Sequence, residues 1–456
     1  MKKVKTIKIL ILSFLLTFSL GYCNKNDQPL SSQIRNTAGI PVSAKNKVIY
    51  EINVRNYSNE GFKGVTKDLK RIKDLGIDII WLMPIHTIGL EKRVNTLGSP
   101  YSIKDYKAIN PEFGNETDFR ALIAAAHALK IEIYMDWVAN HTSWDHLWVT
   151  EHLDYYSSQH GQQPYSPNGW NDVAQLNYDN PQMREAMIDA MKYWVQNFDI
   201  DGYRCDAVAF VPVDFWKQAK TQVDAVRKIS WLAEGDQPEY MSVFDYDYAW
   251  DFSHQLNKFG SGSDVLGLVQ ACKQLFENPT YSQKGRMVYL TNHDLNAHDG
   301  TEMVRYRENV LPLSVLYFTI YDMPLIYNGQ EIGLNKSMSL FDYDPVQWEP
   351  VNTQYLILFK KLTRLKRTQI ALEDGANRGA LKIFKTNAEN VFVYSRKRGN
   401  NEVLVMLNFN ETAVDIKFAD EVPMGSFANY LSGGKKTFNA NEGTVLMEKG
   451  YAIFIK

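Results

Sequence analysis

The stretch NPQMREAMIDAMKYWVQNFDIDGYRCDAV, residues 180–208, decides the fold. Asn180 can cap a helix and Pro181 suits its first turn, while Met183, Ala186, Met187, Ala190, Met191, Trp194 and Phe198 recur at helical spacing. Methionine and aromatic side chains at that spacing are a core face. The helix runs into a short apolar segment, IDGYRC at 200–205, which reads as a strand and ends on the carboxylate Asp206. The same type of strand recurs along the chain at 48–54 (VIYEINV), 78–83 (DIIWLM), 131–138 (IEIYMDWV), 229–233 (ISWLA), 243–246 (VFDY), 287–290 (MVYL) and 323–327 (MPLIY). Eight buried strands alternating with amphipathic helices predict a parallel α/β sheet closed into a (β/α)8 TIM barrel over residues 45–366.

Two segments break the alternation. Residues 141–180 are rich in Trp, Tyr, Asn, Asp, Gly and Pro, and a loop this long in a compact domain is usually functional. It leaves the barrel after the third strand, on the face where a substrate would bind. Its rings, Trp144, Trp148, Tyr155, Tyr156, Tyr165 and Trp170, either stack on a ligand or hold the insert's own small core. Residues 367–456 change to two-residue alternation (Val391, Val393, Val403, Val405, Leu407, Val414, Ile416, Phe418), with turns at Gly399-Asn400-Asn401 and Ser432-Gly433-Gly434. That pattern predicts a C-terminal antiparallel β-domain, a β-sandwich.

The first residues belong to export, not to the fold. Lys2, Lys3, Lys5 and Lys8 precede an apolar run at 9–20, and residues 20–23 (LGYC) read as a lipobox-like end with Cys23 as the lipidated residue. Residues 1–23 are then a signal and 24–44 a linker. The expected location is the bacterial cell envelope, periplasm or cell surface, with membrane contact only through that N-terminal lipid anchor. The formal net charge of -2 gives no general attraction to nucleic acid or to an acidic surface and points to a neutral partner. Cys205 and Cys272 read as two buried free thiols, and no cysteine cluster suggests zinc or another metal.

Three carboxylates follow strand ends in this reading: Asp206, Glu234 and Asp294. Such positions in a parallel barrel are where chemistry is done. Arg204 lies two residues before Asp206 and shares its face, so the guanidinium should orient the carboxylate and keep it ionised as a nucleophile must be. Glu234 follows Leu232 and Ala233, and an apolar setting would raise its pKa so that it can donate a proton. Two carboxyls with opposed pKa values are the requirement of retaining glycoside cleavage. Asp294, with His293 beside it, would add negative charge against an oxocarbenium-like transition state. Any one acid alone is more often a loop cap or an ion-pair member; the combination is the signal.

The sequence resembles the α-amylase family of glycoside hydrolases (family 13) over nearly all of its mature length. DWVANH at 136–141, GYRCDAV at 202–208, the glutamate of LAEGD at 232–236 and NHD at 292–294 are similar to the family's signatures, in order. The resemblance implies Asp206 as nucleophile, Glu234 as general acid/base and Asp294 as transition-state stabiliser. It implies sugar contacts at Arg204, His141, His293 and Tyr101, the last in SPYSIKDY, where Asp105 matches an aspartate beneath the cleaved sugar. It further implies a short inserted domain B at 141–180, an α-1,4-glucan as partner, as starch or maltodextrin, and retaining, endo-type hydrolysis. A transglycosylase, an α-glucosidase or a non-catalytic glucan-binding lipoprotein are the rivals. No cofactor is needed for this chemistry. Many members have Lys-His three and four residues after the nucleophile, the histidine's carbonyl joining a calcium site; here Ala209 and Phe210 stand there. Asn140 is a candidate ligand of such a structural calcium and equally a candidate tie between loop and barrel. The sequence says nothing of the oligomeric state.

Overall fold

The structure, a computed structural model, describes residues 46–456 except 263, 282, 283 and 442; the expected signal, Cys23 and the linker up to residue 44 lie outside the described residues. Eight strands form a closed barrel: β1 (Ile49–Ile52), β2 (Ile79–Leu82), β3 (Glu132–Trp137), β4 (Gly202–Cys205), β5 (Ser230–Ala233), β6 (Tyr246–Tyr248), β7 (Gly285–Val288) and β8 (Met323–Tyr327). Every neighbouring pair is parallel and consecutive, and β8 closes onto β1.

Burial on both faces explains why these strands are continuous apolar runs, not alternating ones. One face packs inward: Ile49, Ile79, Trp81, Tyr134, Leu232, Tyr248, Met287, Tyr289, Met323 and Leu325 fill the barrel. The other face packs on the ring of helices. The helix expected from residue 180 is Pro181–Phe198, with Asn180 capping the backbone N–H groups of Gln182 and Met183 and with Met183, Met187, Met191, Trp194 and Phe198 buried. Cys205 and Cys272 are both buried free thiols, as expected.

Four strand expectations shift by two residues or more, the fourth beginning at Gly202 where residue 200 was expected. The sixth strand is Tyr246–Tyr248, not 243–246, because the connection after β5 contains the 3-10 turn Pro238–Ser242, and the Val243 and Phe244 N–H groups donate back to the Tyr240 carbonyl in it. The seventh begins at Gly285, two residues before the expected Met287, and ends at Val288. The first ends at Ile52: the Asn53 N–H leaves the ladder for the Asn328 side chain, and Val54–Tyr57 coil into a helical turn.

Domain B is anchored by two short antiparallel strands, His141–Ser143 and Val173–Gln175. Its aromatic residues divide between the two expectations. Trp144, Tyr155 and Tyr156 are buried in the insert's core, whereas Trp170 is 40% exposed. After the helix Thr353–Thr368, the C-terminal domain forms a six-stranded antiparallel sheet plus the pair Val414–Ile416 and Val445–Met447. Both faces of that sheet are apolar for different reasons. Leu404 and Met406 face the domain's own core, while Val403, Val405 and Leu407 pack with the barrel's helical layer. Arg396 donates to the carbonyls of Thr319 and Ile320 across the junction.

Gly202 shows how tightly the barrel floor is filled. A Cβ there would lie 2.7 Å from the Tyr134 ring and 2.8 Å from the Ser230 carbonyl oxygen. Gly202→Ala should therefore overpack the interior and cost about 1–3 kcal/mol, read as a lowered Tm in thermal unfolding followed by circular dichroism.

Candidate active site

The acids are placed by the sheet ladder itself. The Asp206 N–H donates to the Trp137 carbonyl and the Glu234 N–H to the Cys205 carbonyl, each 2.9 Å, so pairing of β3, β4 and β5 runs one residue past the strands. Inward-facing positions in register then meet at one level: Asp136 opposite Arg204, and Glu51 opposite Trp81 and Tyr327.

Arg204 is fully buried and lies at the centre. Its Nη1 reaches both oxygens of Asp136 (2.9 and 3.1 Å) and Asp206 Oδ1 (3.0 Å), and its Nε donates to the Tyr248 hydroxyl. Its Nη2 stands 2.9 Å from Glu234 Oε1, an ion pair without hydrogen-bond alignment. Glu234 Oε2 accepts from the Ala207 N–H at 2.7 Å. Ala207 aims that N–H by adopting left-handed backbone (φ 45, ψ 46), a conformation that costs a non-glycine residue of order 1–3 kcal/mol.

A second chain of contacts enters from β1. Glu51 is buried with Oε1 2.5 Å from His293 Nδ1; His293 Nε2 is 2.7 Å from the Tyr101 hydroxyl, which lies 3.2 Å from Asp136. The Tyr101 ring also stacks on His293. Asp294 opens a helical turn at 295–299 with its side chain 44% exposed, and its Oδ2 is 3.4 Å from His293 Nε2. It therefore lies six residues past the end of β7, in the loop. His141 is buried and hydrogen-bonded to the Tyr101 backbone, and burial lowers its pKa to about 4, leaving a neutral imidazole.

The structure thus brings together Asp206, Glu234, Asp294, Arg204, His293, Tyr101 and His141. Asp105 is separate: it is exposed on the outward side of the strand Ile103–Ile109. There it lines a different cavity of about 1100 Å³ beside domain B, because residues around the turn after Tyr101 alternate faces. Two residues given no role from sequence, Asp136 and Glu51, are integral. Each is an acid in the middle of an apolar strand, and that anomaly was the available signal.

Arg204 does not keep Asp206 strongly acidic. Burial raises the carboxyl, Arg204 opposes it, Asp136 and Asp294 add repulsion, and the result is a pKa pushed up to about 6. Glu234 is raised to about 7, first by burial, against Arg204, and then by Asp206 and Asp294. His293 moves the other way: burial lowers it, but the Asp294 and Glu51 carboxylates outweigh that and lift it to about 9, so it is a cation at neutral pH.

Residues 52–390 match the α-amylase catalytic domain family, and residues 383–454 its all-β C-terminal domain. A noncanonic maltogenic α-amylase from Thermotoga neapolitana superposes with a TM-score of 0.82 at 28% identity, covering 91% of this chain and 99% of that one. An α-amylase from Lactobacillus plantarum gives 0.80 at 31% identity, over 90% of this chain and 99% of its own. An α-amylase of Haloarcula japonica is 25% identical over 423 residues, 88% of this chain, which spans 60% of that relative's length.

Replacing Glu51 by Gln removes one of the two anions that hold His293 charged. Glu51→Gln should bring the His293 titration down from about 9 by about one unit or more, followed by the imidazole proton in NMR. An unmoved titration would mean Glu51 has no such hold.

Proposed function

As the chain belongs to the α-amylase family of glycoside hydrolases, a family of enzymes, we propose that it hydrolyses α-1,4-glucosidic bonds of maltodextrins internally, by double displacement with retained anomeric configuration. The observation that carries this reading is the grip of one guanidinium on both Asp206 and Glu234. Both carboxyls meet one guanidinium on neighbouring strand ends, which supports the close pairing that a retaining mechanism needs.

In the first step Asp206 attacks the anomeric carbon while Glu234 gives its proton to the departing glycosidic oxygen. The C–O bond breaks and a glycosyl ester forms on Asp206. In the second step Glu234 takes a proton from water, the water oxygen attacks the same carbon, and the Asp206 carboxylate is released. Asp294 presents its exposed carboxylate to the positive charge developing on the sugar ring. Tyr101, backed by His293, offers a ring face to that sugar.

Chain length is a matter of the rim. Phe210 is 52% exposed and packs edge-on against Trp170, which in turn meets the His141 ring. Two exposed rings beside the turn that follows Asp206 offer a stacking platform for a few glucose units, which supports short α-glucans over long starch chains. The same platform would hold an acceptor sugar, so transglycosylation is the second reading this observation favours.

Asp206→Asn should lower kcat by at least about 1000-fold while oligosaccharide binding persists, because only the nucleophilic oxygen is lost. Products from maltoheptaose, separated by chromatography, should be shorter maltooligosaccharides; products longer than the substrate would mark transfer, and glucose alone an exo-enzyme. The reaction needs Asp206 ionised and Glu234 protonated. kcat/KM should therefore be bell-shaped, falling below about 6 as Asp206 takes a proton and above about 7 as Glu234 loses one. A flat profile across this range would remove Glu234 as the acid.

A further inference from the structure

The family's calcium, where present, sits at the root of domain B, and Asn140 was its candidate ligand here. The donor set at that place does not fit a cation. Asn140 is fully buried, and its Oδ1 accepts from Gln175 Nε2 at 2.9 Å. The same nitrogen is 3.1 Å from the Asn140 carbonyl oxygen and 3.2 Å from that of Leu176. With three oxygens around it, this end of the Gln175 side chain must be the NH2 group, since an oxygen there would face three acceptors.

The neighbouring carbonyls are engaged as well. The Tyr106 hydroxyl donates to Val138 O and His141 O, the Tyr178 hydroxyl to Ala139 O, and the Leu176 N–H to Asn140 O. A calcium ion requires six to eight oxygen ligands at about 2.3–2.6 Å, usually with carboxylates among them. Among the described residues, no group of three or more His, Cys, Asp or Glu side chains could hold a metal ion. A cation placed against Asn140 Oδ1 would meet the protons of the Gln175 amide.

We propose that the Gln175 amide is a metal-free tie between domain B and the barrel, donating into Asn140 and Leu176, so that this chain's stability does not depend on calcium. Gln175 is well placed for it. It ends the strand Val173–Gln175, is paired with His141, and so binds the outgoing and returning limbs of the insert at their root. Buried hydrogen bonds of this kind hold only while every partner is present, because an orphaned buried carbonyl is costly.

The test reads folding, independently of catalysis. The full chain is freed of metal with excess EDTA and its Tm compared in EDTA and in millimolar calcium, with calorimetric titration of calcium alongside. The wild-type Tm should agree in both media and the titration should show no binding heat. Gln175→Ala should lower Tm by about 2 °C or more in both media alike. A wild-type Tm that drops in EDTA and recovers with calcium, or micromolar calcium binding, would overturn the metal-free site. An unchanged Tm in Gln175→Ala would overturn the role of the amide. If that variant does not fold, the wild-type comparison and titration still decide whether the site takes calcium.

Discussion

A fully buried guanidinium constrains the rest of the structure. Taking Arg204 out of water is tolerable only if anions surround it, and three do: Asp136 within β3, Asp206 just past β4 and Glu234 just past β5. Parallel strands put all their C-terminal ends at one mouth, so three consecutive strands can supply those three groups to one cation. The register that satisfies Arg204 is thereby the register that gathers Asp206 and Glu234 at one guanidinium. Stability and chemistry share one interaction here, and loss of the arginine would leave several carboxylates crowded together.

The charge balance around it explains the direction of the pKa shifts. Two cations, Arg204 and His293, face five acids: Glu51, Asp136, Asp206, Glu234 and Asp294. Acids outnumber cations in a largely buried cluster, so Asp206 and Glu234 hold their protons more tightly than in solution. Asp206 and Glu234 both rise, and His293 rises too, because the excess favours its charged form. An acid/base near neutrality follows from the surplus together with burial; burial alone would have neutralised His293.

The aromatic rim shows a division of labour inside one short insert. Most of its rings hold the insert together, and Tyr106 and Tyr178 spend their hydroxyls on the loop root. Trp170 is left exposed, facing Phe210.

Much was legible in the sequence because the period of a buried parallel strand and the spacing of an amphipathic helix are local properties. The eight strands, the helix Pro181–Phe198 and the positions of Asp206, Glu234 and Asp294 near strand ends could be read directly. Glu51 and Asp136 carried a visible anomaly but no partner, since their partners lie tens or hundreds of residues away. The sequence by itself determined which side chains are available and on which face of each strand they lie. Only the tertiary structure decided that one arginine is shared among three acids, that Asp105 faces away, and that the Gln175 amide meets Asn140 at the root of the insert. Register, burial and net local charge are sums over distant segments, and no local pattern contains them.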